Sequence, residues 1–127
     1  VVGTVHRVAG DTIDVLLTVD SGSGIDVVVE RTGARGIVRG TGDRSRYACR
    51  VEYVQRTDEV AVGDLLLTSG VGKRFPKGLP VARVTEVTRR DFGIYQTVEA
   101  VPAVDLSRLD YVLIVTSMES DKGTDAP

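Results

Sequence analysis

The chain has 127 residues, 42% of them hydrophobic, with 16 basic against 18 acidic side chains and a formal net charge of -2. That length suits one ordinary domain or two small β units, and the apolar share is enough to bury a core. The charge balance speaks against a general nucleic-acid or membrane-surface binder, because those functions rest on a basic field.

From the N-terminus, Val2, Val5 and Val8 repeat at a spacing of three, and Val81, Val84 and Val87 repeat it again. That spacing suits neither a flat strand nor a long helix, whereas a bulged strand turning a barrel corner accommodates it. Its double occurrence leaves two readings open, a duplicated β unit or chance. Next, Ile13, Val15, Leu17 and Val19, then Ile25, Val27 and Val29, keep the period of half-buried strands. With Asp20-Ser21-Gly22-Ser23-Gly24 between them, residues 12–19 and 25–30 read as a hairpin.

Further strands are expected at 36–39, 47–54, 64–68, 79–87, 94–101 and 111–116, each bounded by turn residues. The one helical candidate is 103–109, after Pro102, with room for about two turns. The expected class is all-β, built as small barrels: 1–44 contributes to a first barrel, left incomplete in this fragment or closed by rearranged pairing or a second copy, and 45–116 forms a second. The polar residues 117–127 are expected to be a disordered tail.

Between the strands at 64–68 and 79–87 lies the densest run of glycine and proline, Gly70-Val71-Gly72-Lys73-Arg74-Phe75-Pro76-Lys77-Gly78-Leu79-Pro80. Glycine supplies positive φ and proline fixes φ, so this segment must follow one defined path. It is not a phosphate loop, since Leu67 stands where that motif needs glycine and Arg74 where it needs Ser or Thr. It is not a dinucleotide fingerprint either, since Phe75 replaces the third glycine and no helix opens there.

Other chemistry is scarce. Asp20-Ser21-Gly22 has the composition of a dimeric aspartic-protease signature, but hairpin loops favour the same three residue types. His6, the only histidine, has no serine and carboxylate placed with it by the sequence and reads as a strand residue. Cys49, the only cysteine, lies in an apolar alternation and reads as a buried thiol. One histidine and one cysteine leave only oxygen ligands for a metal, and the acids are scattered singly rather than at ligand spacing, so no metal or cofactor is expected. Arginines concentrate between Arg31 and Arg56, and in an oligonucleotide-binding barrel they would alternate with stacking aromatics, for which Tyr47 and Tyr53 are the candidates. A solvated or partner-facing strand edge is the plainer reading.

Several blocks point the same way. Glu30-Arg31-Thr32-Gly33-Ala34-Arg35-Gly36-Ile37-Val38-Arg39-Gly40-Thr41-Gly42 is followed by Val62-Gly63-Asp64-Leu65-Leu66-Leu67-Thr68-Ser69-Gly70-Val71-Gly72 and by Phe75-Pro76-Lys77-Gly78-Leu79-Pro80-Val81. These blocks, with the opening Val2-Gly3-Thr4-Val5 and the closing Pro102-Ala103-Val104-Asp105-Leu106-Ser107-Arg108-Leu109, resemble the rod shape-determining protein MreC family, in the family's order. Lys73-Arg74 and Ala82 depart mildly from its pattern.

The resemblance implies the β-rich extracytoplasmic end of a bacterial cell-shape scaffold, anchored in the inner membrane by a helix that precedes this fragment. No run here approaches the ~20 apolar residues of a spanning helix, no signal peptide is visible, and the chain does not begin with methionine. The implied function is non-enzymatic, in peptidoglycan elongation. The implied partners are copies of itself, an elongation transpeptidase and membrane proteins of the shape complex, with an indirect link to MreB. Residues chosen as candidate interface anchors are Arg31, Arg35 and Arg39 together with Val71, Phe75 and Leu79. Phe75 and Leu79 have the alternative of packing inside the barrel.

Overall fold

The alternation Ile25, Val27, Val29 becomes burial in strand β3 (Gly24–Val29), where all three side chains point inward. It is one of eight strands among the described residues, the others being β1 (Gly3–Ala9), β2 (Thr12–Leu17), β4 (Arg35–Gly40), β5 (Cys49–Glu52), β6 (Leu65–Thr68), β7 (Pro80–Thr88) and β8 (Thr97–Pro102). The structure, a computed structural model, describes residues 1–43, 47–89 and 92–116. Strands β3 to β8 close into a barrel in the order β3-β4-β5-β8-β7-β6, and β1 and β2 form a separate two-stranded ribbon. The architecture is all-β, as the turn spacing implied.

The barrel is filled by side chains. Val38 from β4, Cys49 and Val51 from β5, Leu66 from β6, Val81 and Val84 from β7, and Val98 and Ala100 from β8 join the three β3 residues. Mostly small and β-branched groups suit a narrow six-stranded interior, where each strand offers alternate positions only. Gly40 is required where β4 passes the chain entering the barrel: a Cβ there would sit 2.1 Å from the Asp20 carbonyl oxygen.

The expected hairpin between 12–19 and 25–30 does not form. Strand β2 pairs with β1, while β3 pairs with β4 and β6. Residues between β2 and β3 carry the chain from ribbon to barrel, with the Asp20 amide donating to the Leu17 carbonyl and the Asp20 carboxylate accepting from the Leu17 amide at 2.8 Å. Alternation fixes which face of a strand is buried but is the same for every possible partner.

The spacing of three has a physical cause in both places. The ladder β1/β2 shifts register between Val5 and Arg7, and β7/β8 shifts between Val84 and Glu86. Each shift is a β-bulge: one extra residue lets Val5 oppose Val15 and Val8 oppose Ile13, and lets Val84 oppose Ala100 and Val87 oppose Val98.

Because β3 and β4 complete the barrel, it runs from Gly24 to Pro102 and crosses the expected boundary between 1–44 and 45–116. Where a first barrel was expected, the described residues hold the ribbon, since two strands cannot close on themselves. After β8, the expected helix at 103–109 shrinks to a 3-10 turn at Leu106–Arg108, its amide at Ser107 capped by Asp105 at 3.0 Å. Residues 111–116 form no strand, and Tyr111, Val112, Leu113, Ile114 and Val115 are exposed. The expected tail, 117–127, lies outside the described residues.

Candidate functional site

The connection from β6 to β7 is fixed by a set of hydrogen bonds to one residue. Thr68, almost fully buried, is its hub. Its hydroxyl donates to the Pro76 carbonyl and accepts from the Leu79 amide at 2.9 Å, while its backbone amide donates to the Leu79 carbonyl at 2.8 Å. The Gly78 amide closes back onto the Thr68 carbonyl, and the Ser69 amide donates to the Asp26 carbonyl of β3 at 3.0 Å. Gly70 has φ 78°, and a Cβ on it would lie 3.1 Å from Lys77 Cβ, so the left-handed turn and the close approach both select glycine.

This path decides what the candidate apolar anchors do. Val71 begins a short 3-10 turn and is 49% exposed. Phe75 is half-buried against the core cluster, and Leu79 is half-buried where its backbone joins Thr68. Between the loop and β3 a cavity of about 20 Å³, lined by Gly24, Asp26, Thr68, Gly70, Val71 and Phe75, has space for one water. The loop therefore presents Val71 outward and uses Phe75 to seal the barrel.

The three candidate arginines are not equivalent. Arg31 forks onto Asp64, Nε to Oδ1 at 2.8 Å and Nη2 to Oδ2 at 3.0 Å, and its Nη1 reaches Glu59 at 2.6 Å. Asp64 is 8% exposed and also accepts from the Ala61 amide at 2.8 Å. The Arg31 guanidinium holds the Asp64 carboxyl below the ordinary carboxylate value, against the opposing effect of burial, and Arg31 is in turn raised. Arg39 donates from Nε to Glu52 at 2.7 Å across the β4/β5 ladder. Arg35 stands exposed without an ion-pair partner among the described residues. Arg31 and Arg39 thus hold the fold together, and Arg35 is the arginine of the three left to solvent.

The remaining candidates are accounted for locally. Cys49 is buried with its thiol pushed up to about 11 by desolvation, and its Sγ lies 3.6 Å from the Thr18 carbonyl. His6 is exposed on β1, and Asp20 closes a turn. Among the described residues no group of three metal-ligating side chains gathers, and no helix is long and apolar enough to cross a membrane.

Of the two tyrosines considered for stacking, Tyr47 is half-buried against the core, whereas Tyr53 is exposed and meets Tyr95 edge-to-face, ring centroids 5.5 Å apart. Tyr95 was not singled out from the sequence. Its signal was weak, a lone aromatic after Gly93 at the start of an expected strand, with nothing to show which face it would take.

The family model described as "Rod shape-determining protein MreC, barrel core" matches residues 1–116. The chain is 39% identical over 115 residues to the cell shape-determining protein MreC of Haemophilus influenzae, covering 91% of this chain and 32% of that protein. With MreC of Escherichia coli the identity is 37% over 115 residues, covering 91% and 31%. Among solved structures, MreC from Pseudomonas aeruginosa is similar at a TM-score of 0.78 and 40% identity, over 84% of this chain and 68% of that one. The chain thus spans about a third of the length of these two curated relatives. It belongs to the MreC family of rod shape-determining proteins, whose barrel core it carries.

Proposed function

We propose that this chain is a non-enzymatic docking module in the peptidoglycan elongation machinery, outside the cytoplasmic membrane, within a parent protein anchored in the inner membrane. Its partners in this reading are further copies of itself, an elongation transpeptidase and membrane proteins of the shape complex, which link it indirectly to MreB. No cofactor or nucleic acid takes part.

The observation that carries the reading is the β6/β7 loop. A hydrogen-bonded framework centred on Thr68 holds it in one conformation, and it displays Val71 on a rigid barrel. A preformed apolar projection loses little entropy on docking. The ribbon adds a second surface, for self-association: Val5, Val8 and Val15 are exposed, and among the described residues each strand pairs only with the other. The pairing of Arg31 and Arg39 with acids argues against the alternative of an oligonucleotide-binding barrel, which needs unpaired cations along a backbone track.

Sedimentation velocity across a concentration series, with and without the periplasmic part of an elongation transpeptidase, tests the reading. A mixed complex that weakens in Val71→Asp and Arg35→Glu supports it. A strict monomer that ignores the transpeptidase overturns it for this part of the protein.

A further inference from the structure

On the barrel wall away from the β6/β7 loop, β5 and β8 part around an irregularity. Val51 pairs with Val98, and the next link is the bridge between Gln55 and Tyr95. Between these points one side has Glu52, Tyr53 and Val54, and the other only Gln96 and Thr97. The extra residue makes a bulge, and Tyr53 within it has φ 66°. A left-handed tyrosine is uncommon, and nothing in the turn demands a ring there, since glycine would adopt that φ without strain. Bulges of this kind re-aim a side chain.

Here the re-aimed ring is 53% exposed and stands at 86° to Tyr95, itself 46% exposed. The two rings and the outward side chains Arg50, Glu52 and Thr97 line an open cleft of about 360 Å³. Arg50 lies 3.9 Å from Glu52, whose carboxylate also receives Arg39. The cleft is therefore aromatic, close to neutral, and rich in groups that donate or accept several hydrogen bonds.

We propose that the Tyr53–Tyr95 cleft is a binding site for a neutral glycan. A pyranose ring has an apolar C–H face that stacks on an aromatic face, and a rim of hydroxyls that both donate and accept. One tyrosine supplies the platform and the perpendicular one a side wall, while the Arg50 guanidinium, the Glu52 carboxylate and the Thr97 hydroxyl meet the rim.

Competing ligands fit less well. A single-stranded nucleic acid would stack equally on the rings but needs a cationic track, and here the cleft's one arginine, Arg50, faces Glu52 across the same lining. An extended peptide cannot add a strand, because β5 and β8 already have neighbours on both sides. A protein interface centred here would have to desolvate the Arg50–Glu52 pair, whereas a sugar replaces its waters with hydroxyls. The site lies apart from the loop that carries the docking reading, so failure of one leaves the other standing.

Calorimetric titration of the chain with β-1,4-linked tetramers of N-acetylglucosamine and, separately, of glucose tests the assignment. The wild-type chain is expected to bind at least one of them. Tyr53→Gly and Tyr95→Ala should each weaken binding ~10-fold or more, while Tyr53→Phe, which keeps the ring face, should bind within a few-fold of wild type. Tyr53→Gly is the informative variant, since it relieves the strained backbone and should not lower the melting temperature. Absence of heat with both sugars at ~10 mM, or unchanged affinity in both ring deletions, overturns the proposal. So does a result in which the ring deletions abolish only a complex with the transpeptidase part, which would make the cleft a protein interface.

Discussion

Arg31 and Asp64, 33 residues apart in the chain, meet through two hydrogen bonds of 2.8 and 3.0 Å, and this fork fastens the β3/β4 turn to the segment that leads into β6. The carboxylate is the buried partner and the guanidinium the half-exposed one. Asp64→Ala removes the acceptor for both the guanidinium and the Ala61 amide, and a loss of about 1–3 kcal/mol is expected in urea unfolding.

The same pair sets an acid limit. The folded-state value of Asp64 lies below its ordinary 3.8, so the carboxylate is favoured in the folded state. Its contribution is fully present above the ordinary value and is lost as pH falls through the depressed one. Melting temperatures of wild type and Asp64→Asn should therefore differ at neutral pH and converge below about pH 4. A difference that stays constant into acid would show that charge plays no part.

Glycine at the loop and at the barrel entrance should answer differently to alanine. Gly70→Ala places an L side chain at φ 78° and against Lys77, and is expected to cost about 1–2 kcal/mol. Gly40→Ala meets backbone rather than a movable side chain, at 2.1 Å from the Asp20 oxygen, and should be the more damaging of the two by thermal melting.

Cys49 should behave as core. Its thiol has its value pushed up to about 11, so at pH 8 a thiol reagent should leave it unmodified in the native chain and label it on denaturation. The sign above neutrality follows from the same shift: folding favours the protonated thiol, so stability is lost as pH rises past the unfolded value of 9.0. Rapid native labelling would mean that the barrel wall opens at β5.

Leu66→Ala and Val71→Ala separate packing from docking. Leu66 is buried in the barrel, and truncation there is expected to cost about 2–5 kcal/mol. Val71 is half-exposed, so its truncation should leave the unfolding midpoint almost unchanged and weaken only association.

Much of the fold was legible because burial imposes periodicity. The expected strands at 36–39, 64–68 and 79–87 fall on β4, β6 and β7 within a residue or so, and the bulges were foreshadowed by valines three apart. Strand partnership was not legible, since β2 carries the same alternation whether it joins β1 or β3. Residues 111–116 have strand composition but lack a neighbouring strand in the described structure, and composition alone does not make a ladder. At the candidate sites, the glycine-proline segment announced a fixed loop. The arginines between 31 and 39 did not reveal which of them were bound to acids, because the partner of Arg31 lies 33 residues away.

The division into a closed barrel and an open two-stranded ribbon has a mechanical consequence. Tension drawn along the ribbon peels its ladder one rung at a time, from one end, with little resistance at each step. The barrel yields only when several ladders shear together, because every strand in it is tied on both sides. The Val1 ammonium, which donates to the Pro80 carbonyl at 2.7 Å, and the Val1 side chain, packed on the core, pin the open end of the ribbon to the barrel, so that tie must give before the ladder can peel.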